Sequence, residues 1–303
     1  MIGLAVGRIL QETKIADSVV GCDIEEDHAG RVFFDRCFVM ERAASPQYGE
    51  RLTQLAKEEK IDLVIPTSEP ELRRLYADHF FGRRTLFLMA NDTALAIGFD
   101  KYKTAEFLKE HGFPYPWTQR AADGAPQELP CILKSRTGCG SKDVRILTAE
   151  TYREENAYHE DDIFQEWIVG DEEEYTCGLF RSVLGEIRTM ILRRRLHEGR
   201  TVCGTVEENP AIEALLSALA KALNLRGSIN VQLRLRDGVP YVFEINPRFS
   251  STVRFRHQLG FSDLLWSVQD VAGHLPSDYV PPRAGLRFYK IYEDVIDWQR
   301  ASI

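Results

Sequence analysis

The sequence contains no apolar run approaching the roughly 20 residues that a membrane-spanning helix needs. It has no charged-then-apolar opening of the kind that directs secretion and no CxxC pair. The first two absences predict a soluble, cytoplasmic protein that does not engage a membrane. The third argues against a zinc site or a redox pair, so Cys22, Cys37, Cys131, Cys139, Cys177 and Cys203 read as reduced thiols. Basic residues are in deficit, 38 against 46 acidic for a net charge of -8, which argues against nucleic-acid binding. That balance leaves room for a local basic pocket that takes a small anion. Internal repeats and low-complexity tracts are also missing. What remains is an ordinary globular mix, long enough at 303 residues for two domains.

The first ninety or so residues alternate short strands with helices. Ser18 to Asp23, Phe38 to Met40, Ile61 to Pro66 and Thr85 to Met89 read as strands, while Tyr48 to Lys60 and Glu69 to Asp78 read as amphipathic helices. This alternation predicts a parallel, Rossmann-like sheet. Met1 to Leu10 reads as a glycine turn running into a helix, and the strand expected before such a turn is absent, so a truncated start or a variant opening is expected. Asn91 to Thr93 caps a helix start, and Lys101 to His111 is a helix ending at Gly112. The domain boundary is placed near residue 95, dividing the chain into 1–95, 96–280 and a C-terminal extension, 281–303. Beyond it, Cys131 to Lys134, Asp143 to Leu147, Ile163 to Ile168, Tyr175 to Phe180 and Gly185 to Leu192 are strands, and Pro210 to Leu223 is a long helix.

Ser228 to Arg236 and Val239 to Ile245 form a hairpin. In the first strand Ile229, Val231, Leu233 and Leu235 share one side and Asn230, Gln232 and Arg234 the other. In the second, Tyr241, Phe243 and Ile245 take the apolar side, and Val242, Glu244 and Asn246 the opposite one. Asp237-Gly238 is a two-residue turn signal, but that loop pairs Arg236 with Val239 and mismatches the faces. An odd loop, Asp237 to Val239 with a bulge, restores them and sets Gln232 opposite Glu244 and Leu233 opposite Phe243. The resulting polar face of Gln232, Glu244 and Asn246 reads either as a solvated sheet face or as oxygen donors of the kind Mg²⁺ prefers. Arg248 adds a cation suited to phosphate oxygens.

The segment FEINPR, residues 243–248, resembles the ENPR-type motif of the ATP-grasp superfamily, and the preceding SINVQL is similar to the matching strand of its carbamoyl phosphate synthase-like branch. The resemblance runs from about residue 20 to 275 with its motifs in family order. It implies an ATP-grasp fold preceded by a Rossmann-like domain. It also implies an ATP- and Mg²⁺-dependent ligase, with Mn²⁺ as a substitute metal, that activates a carboxylate as an acyl phosphate for attack by an amine.

Carried over by position, Glu244 and Asn246 resemble metal ligands, supported by Gln232. Arg248 resembles the arginine that contacts the transferred phosphate. Lys134, in CILKSRTGCGS, resembles the lysine that reaches the ATP phosphates, and Gly138, Gly140 and Ser141 resemble the glycine loop that covers them. Lys101 resembles an earlier phosphate contact. Glu166 and Ile168, in QEWI, resemble the adenine hinge, and Glu174 the ribose-binding glutamate. Ser135 and Asp143 depart from the family pattern, where proline and glycine are usual. Members often dimerise, so a homodimer is a further implication.

Arg193, Arg194 and Arg195 read as a basic pocket or a surface cluster, and His197 as a loop residue. Three rival readings stand beside the ligase. They are a bicarbonate-activating carboxylase-like enzyme, a nucleotide-binding module without catalysis, and a dinucleotide oxidoreductase built on Gly3, Gly7 and Asp23. The last lacks the usual glycine fingerprint.

Overall fold

The computed structural model describes residues 2–79, 85–138, 144–154, 158–169, 174–197, 199–291 and 294–296. The opening segment forms α1 (Ile2–Thr13), which buries Ala5, Val6, Ile9 and Leu10. β1 (Val20–Asp23) pairs in parallel with β2 (Arg36–Val39). After α2 (Tyr48–Glu58), β3 (Leu63–Val64) pairs in parallel with β4 (Leu86–Phe87), with α3 (Glu69–Ala77) between them. These are two separate two-stranded sheets where the alternation predicted one. Packing joins them instead of hydrogen bonds. α2 and α3 set Leu52, Leu55 and Leu75 against Phe38 and Met40 of one pair and Phe87 and Met89 of the other. On another side, α1 packs with Val19, Leu63 and Ile65.

α4 (Asp92–Gly98) spans the predicted boundary and packs Ala94 and Leu95 into the central core, beside α5 (Lys101–Glu110). Asn91 stands at the start of α4 but does not cap it. Its side chain takes the Arg226 backbone N–H at 3.0 Å and donates to the Leu223 carbonyl at 3.2 Å, tying α4 to the start of the hairpin. Asp100 does cap α5, accepting from the N–H groups of Tyr102 and Lys103.

Two antiparallel sheets follow. β5 (Thr118–Arg120), β6 (Cys131–Ser135), β7 (Arg145–Leu147) and β8 (Asp162–Glu166), with α6 (Ala149–Glu154), form a small sheet in the order β5-β8-β6-β7. β9 (Glu174–Arg181), β10 (Ile187–His197), β11 (Arg200–Glu207), β12 (Gly227–Arg236), β13 (Val239–Asn246) and β14 (Arg287–Tyr289) form a larger one in the order β13-β12-β9-β10-β11-β14. α7 (Pro210–Ala222), α4 and α5 cover one face through Leu216, Leu219, Leu95 and Leu108 against Cys177, Leu179, Val231 and Leu233. α8 (Val253–Gln258) and α9 (Asp263–Val271) cover part of the other, with Phe261 and Trp266 on Phe180. The rest of that second face is open and forms the floor of a cleft.

The hairpin corrects one expectation. Its loop is the two-residue Asp237-Gly238, both at positive φ (52° and 76°), and Arg236 does pair with Val239. The bulge lies further along, at Phe243, so that Leu233 faces Val242 while Gln232 faces Glu244. Val242 is therefore the buried partner of the core. Tyr241 and Phe243, expected there, are only half-buried. A bulge gives one strand an extra residue, which restores the match of faces without lengthening the loop.

Candidate active site

A cleft of about 1340 Å³ runs between the small sheet, the open face of the large one and the N-terminal strands. Lys134, Lys101, Gly138, Glu166, Ile168, Glu174, Gln232, Glu244, Asn246 and Arg248 all line it, although they are spread over almost 150 residues of chain. Gly140 and Ser141, with Cys139 and Asp143, lie outside the described residues.

Alternation along β6 explains how Lys134 reaches the cleft. Cys131 and Leu133 pack into the small sheet's core, so Ile132 and Lys134 turn to the other side. Lys134 is buried, with its ammonium 5.5 Å from the centre of the Phe243 ring. Burial lowers its pKa to about 8, against the opposing pull of Glu244 and Glu174 and with a further push from Lys101. An anion placed beside it would raise the pKa again and extend the charged form to higher pH.

Lys101 donates to the Gly138 carbonyl at 2.5 Å. Gly138 leaves no space for a side chain, because an added Cβ would stand 2.9 Å from Ser135. Two contacts that no motif announced fix this corner. Arg136 grips Asp100 through both carboxylate oxygens, at 2.8 and 2.6 Å, which ties the end of β6 to the start of α5. Arg73, on α3, donates to the Thr137 carbonyl at 3.1 Å and lies over the Phe99 ring at 4.7 Å.

At the other end of the cleft, the Glu166 backbone N–H is taken by the Trp117 carbonyl at 2.8 Å. Its side chain accepts from the Trp117 N–H at 3.1 Å and from Arg236, which stacks over Tyr241. Ile132, Val144, Ile146, Leu196 and Phe243 line an apolar part of the cleft. The pairing of Ile132 with Ile146 across β6 and β7 puts two branched side chains side by side there. Glu174 is buried and ion-paired to Arg194, with Arg234 3.7 Å away. The arginine triplet therefore divides: Arg194 turns to the cleft, while Arg193 pairs with Glu207 at 2.7 Å and Arg195 is exposed. His197 is exposed.

Gln232 and Glu244 are direct cross-strand partners. Among the described residues Glu244 forms no ion pair and no cluster of three His, Cys, Asp or Glu side chains stands together. A single free carboxylate beside an amide oxygen fits Mg²⁺, which keeps water and phosphate oxygens in its shell, better than a metal caged by protein alone. Arg248 donates to Asn246 Oδ1 at 3.2 Å and to the Phe249 carbonyl at 3.1 Å. Past Arg248 the cleft continues to Cys22, Tyr48, Ser68 and Glu71. Tyr48 donates to Glu71 at 3.2 Å, and Glu71 also closes a capping box with Ser68 at the start of α3.

A family model described as "ATP-grasp domain" matches residues 99–252, half of the chain. The chain belongs to the ATP-grasp family. That match runs from Phe99, just before the Asp100 cap, to Thr252, just past the serines that follow Arg248. Among curated ATP-grasp relatives, the carbamoyl phosphate synthase large chain of Methanothrix thermoacetophila is 26% identical over 257 residues, 76% of this chain and 23% of its own. That of Mesorhizobium japonicum is 42% identical over 66 residues, 20% of this chain and 6% of its own. The chain thus spans about a quarter or less of the curated relatives it matches.

Among solved structures, the N5-carboxyaminoimidazole ribonucleotide synthetase of Thermus thermophilus superposes with a TM-score of 0.74 at 17% identity, covering 94% of this chain and 80% of that one. A biotin carboxylase complex from Campylobacter jejuni gives 0.67 at 16%, covering 91% and 70%. At such identities the likeness shows the ATP-grasp fold alone. Among the described residues no cysteine is bridged to another, and no helix is long and apolar enough to cross a membrane.

Proposed function

We propose that the protein is an ATP-dependent ligase that activates a carboxylate as an acyl phosphate and passes the acyl group to an amine. The observation that carries this reading is the convergence of Lys134, the Gln232–Glu244 pair and Arg248 on one cleft. The adenine ring enters the apolar slot against Ile132 and Ile146, near the backbone of Glu166 and Ile168. Glu174, braced by Arg194, faces the ribose. Lys134 and Lys101 meet the phosphates. Glu244 and Asn246, supported by Gln232, would hold magnesium, which would supply neutralising charge for the phosphates. Phosphoryl transfer asks mainly for position and charge compensation, and this set of groups offers both.

In the first step a carboxylate oxygen attacks the γ-phosphorus and ADP leaves. Arg248 binds the phosphoryl oxygens and keeps the acyl phosphate in place. An amine nitrogen then attacks the acyl carbon, phosphate departs and the amine loses a proton. No covalent bond to the protein is formed.

A second reading takes bicarbonate as the acid. It draws on one solved neighbour, a 2-oxoglutarate carboxylase domain from Hydrogenobacter thermophilus, in complex with MgADP, ADP and bicarbonate. The extension of the cleft past Arg248 to Tyr48 and Glu71 favours a larger acid.

Phosphate release from Mg-ATP, screened over pooled organic acids and amines and separately over bicarbonate, tests both readings. Turnover with an organic acid supports the first; turnover with bicarbonate alone replaces it with the second. Glu244→Ala and Arg248→Ala should each lower turnover roughly 10²–10³-fold while leaving the fold intact. Wild-type rates in either variant would remove that residue from the site.

A further inference from the structure

Two short segments meet at the phosphate end of the cleft. Phe99, Asp100 and Lys101 lie where α4 passes into α5, and Arg136, Thr137 and Gly138 follow the end of β6. Hydrogen bonds zip the two together. The Lys101 N–H donates to the Arg136 carbonyl at 3.1 Å, the Arg136 side chain returns to Asp100 at 2.6 Å, and the Lys101 ammonium meets the Gly138 carbonyl. Of these six residues, Lys101 and Gly138 line the cleft.

A third element holds both segments from outside. Arg73, on α3, donates to the Phe99 carbonyl and, at 3.1 Å, to the Thr137 carbonyl, with its guanidinium 4.7 Å from the centre of the Phe99 ring. Glu69, one turn back on the same helix and buried, accepts from Arg73 Nε at 3.0 Å. The Phe99 carbonyl stands at the C-terminal end of α4, where a cation is favoured. One carboxylate and two carbonyls taken together call for the planar fork of an arginine; a lysine has a single nitrogen to offer. Arg73 does not itself line the cleft, so what it sets is the place of the two carbonyls. It also lies outside residues 99–252, which the family model matches.

We infer that Arg73 is a positioning residue for the phosphate end of the nucleotide site. Each carbonyl it holds is within two residues of a group that faces the cleft: Phe99 comes shortly before Lys101, and Thr137 directly before Gly138. Holding both fixes the Lys101 ammonium relative to the Gly138 backbone, and with it the space that a phosphate enters. Groups that meet a phosphate act at hydrogen-bond range, so small displacements there are felt in binding. Glu166 and Glu174, at the other end of the cleft, sit on β8 and β9 and make none of these contacts. The inference rests on the nucleotide-binding reading above.

The test compares ADP, which extends towards the phosphate end, with AMP, which stops short of it. Affinities of the full chain for both are measured by calorimetry in Mg²⁺. Arg73→Ala should weaken ADP about tenfold and AMP by less than about twofold. A lesion that only loosens the fold weakens both nucleotides alike. That result, or unchanged affinity for both, overturns the inference.

Arg73→Lys guards against a variant that does not fold, since it keeps the charge and can reach one carbonyl. Its expected effect is a loss of about threefold for ADP alone. Equal losses for ADP and AMP, or none, overturn the inference here too. Wild-type protein that binds neither nucleotide overturns the nucleotide-binding reading itself; wild-type binding with an unselective response to both Arg73 variants overturns this inference alone.

Discussion

The large sheet and the N-terminal strand pairs line the same cleft but are built differently. β9 to β13 run 8 to 11 residues each and pair over most of their length, whereas β1 to β4 have two or four residues each. The long ladders fix side chains by register: Glu174 meets Arg194, and Glu244 meets Gln232, because the strands carrying them are neighbours. The N-terminal wall presents Cys22 from a four-residue strand, and Tyr48 and Glu71 from the first turns of α2 and α3. Under the proposed reading the groups assigned to the metal, Gln232 and Glu244, need fixed geometry and sit on the long ladders. The same reading gives the substrate side to the short N-terminal elements, which tolerate change.

This contrast predicts a graded set of effects. The largest belongs to the buried pair behind the cleft. Arg256 and Asp263 are completely buried 3.4 Å apart, and Asp263 also accepts from Ser228 at 2.7 Å. Burial pushes the Asp263 carboxyl up and the Arg256 guanidinium down, each drawn back by the other. Asp263→Ala leaves the arginine uncompensated against Gly178, where even a Cβ would stand 2.3 Å from its Nη1. The expected loss is about 3–5 kcal/mol, read from urea unfolding. A loss below about 1 kcal/mol would mean that the large sheet is not the rigid half.

The middle effect lies at Lys134. Its free-state pKa of about 8 means that the ammonium is present below that pH and is lost above it. Phosphate favours the charged form, so binding above pH 8 must take up a proton. Affinity for Mg-ADP should be flat with respect to this group below pH 8 and fall about tenfold per pH unit above it, until the pKa of the bound state is reached. Calorimetry in buffers of different ionisation enthalpy reads the proton uptake directly. A flat profile to pH 9.5 would separate Lys134 from the phosphates.

The smallest effect is on the N-terminal wall. Tyr48→Phe removes one hydrogen bond to Glu71, whose other oxygen remains bound to Ser68 at 2.7 Å. The expected cost is about 1 kcal/mol in thermal unfolding, with Mg-ADP affinity unchanged. Altered nucleotide affinity would show that the two walls are coupled and erase the distinction drawn above.

Much of this architecture was legible in the residues. The period of two in Ser228 to Arg236 sorted Val231 and Leu233 from Asn230 and Gln232, and β12 buries the first pair as expected. The same period along CILK turns Lys134 away from the small sheet's core. The opposition of Gln232 and Glu244 was legible because a bulge was required somewhere. Its position at Phe243 was not, since a bulge at any point beyond Gln232 balances the faces equally. β11 went unread because Arg200 to Glu207 mixes glycine, threonine and valine without clean alternation, and its pairing with β10 makes it a strand.

Periodicity within short segments of the sequence settled the faces of β12 and β6 and the α/β class. The order of the motifs was legible only through the resemblance to the ATP-grasp family, and the faces at Tyr241 to Phe243 shifted with the bulge. Only the tertiary structure decided who meets whom across the cleft: Arg194 with Glu174, Arg136 with Asp100, Arg73 with the Thr137 carbonyl, and the Asn246 amide turned by Arg248. The reason is one of range. Local pattern sets the direction of a side chain, but a charge or a hydrogen-bond donor finds its partner through space, and nearly all of these partners come from distant parts of the chain.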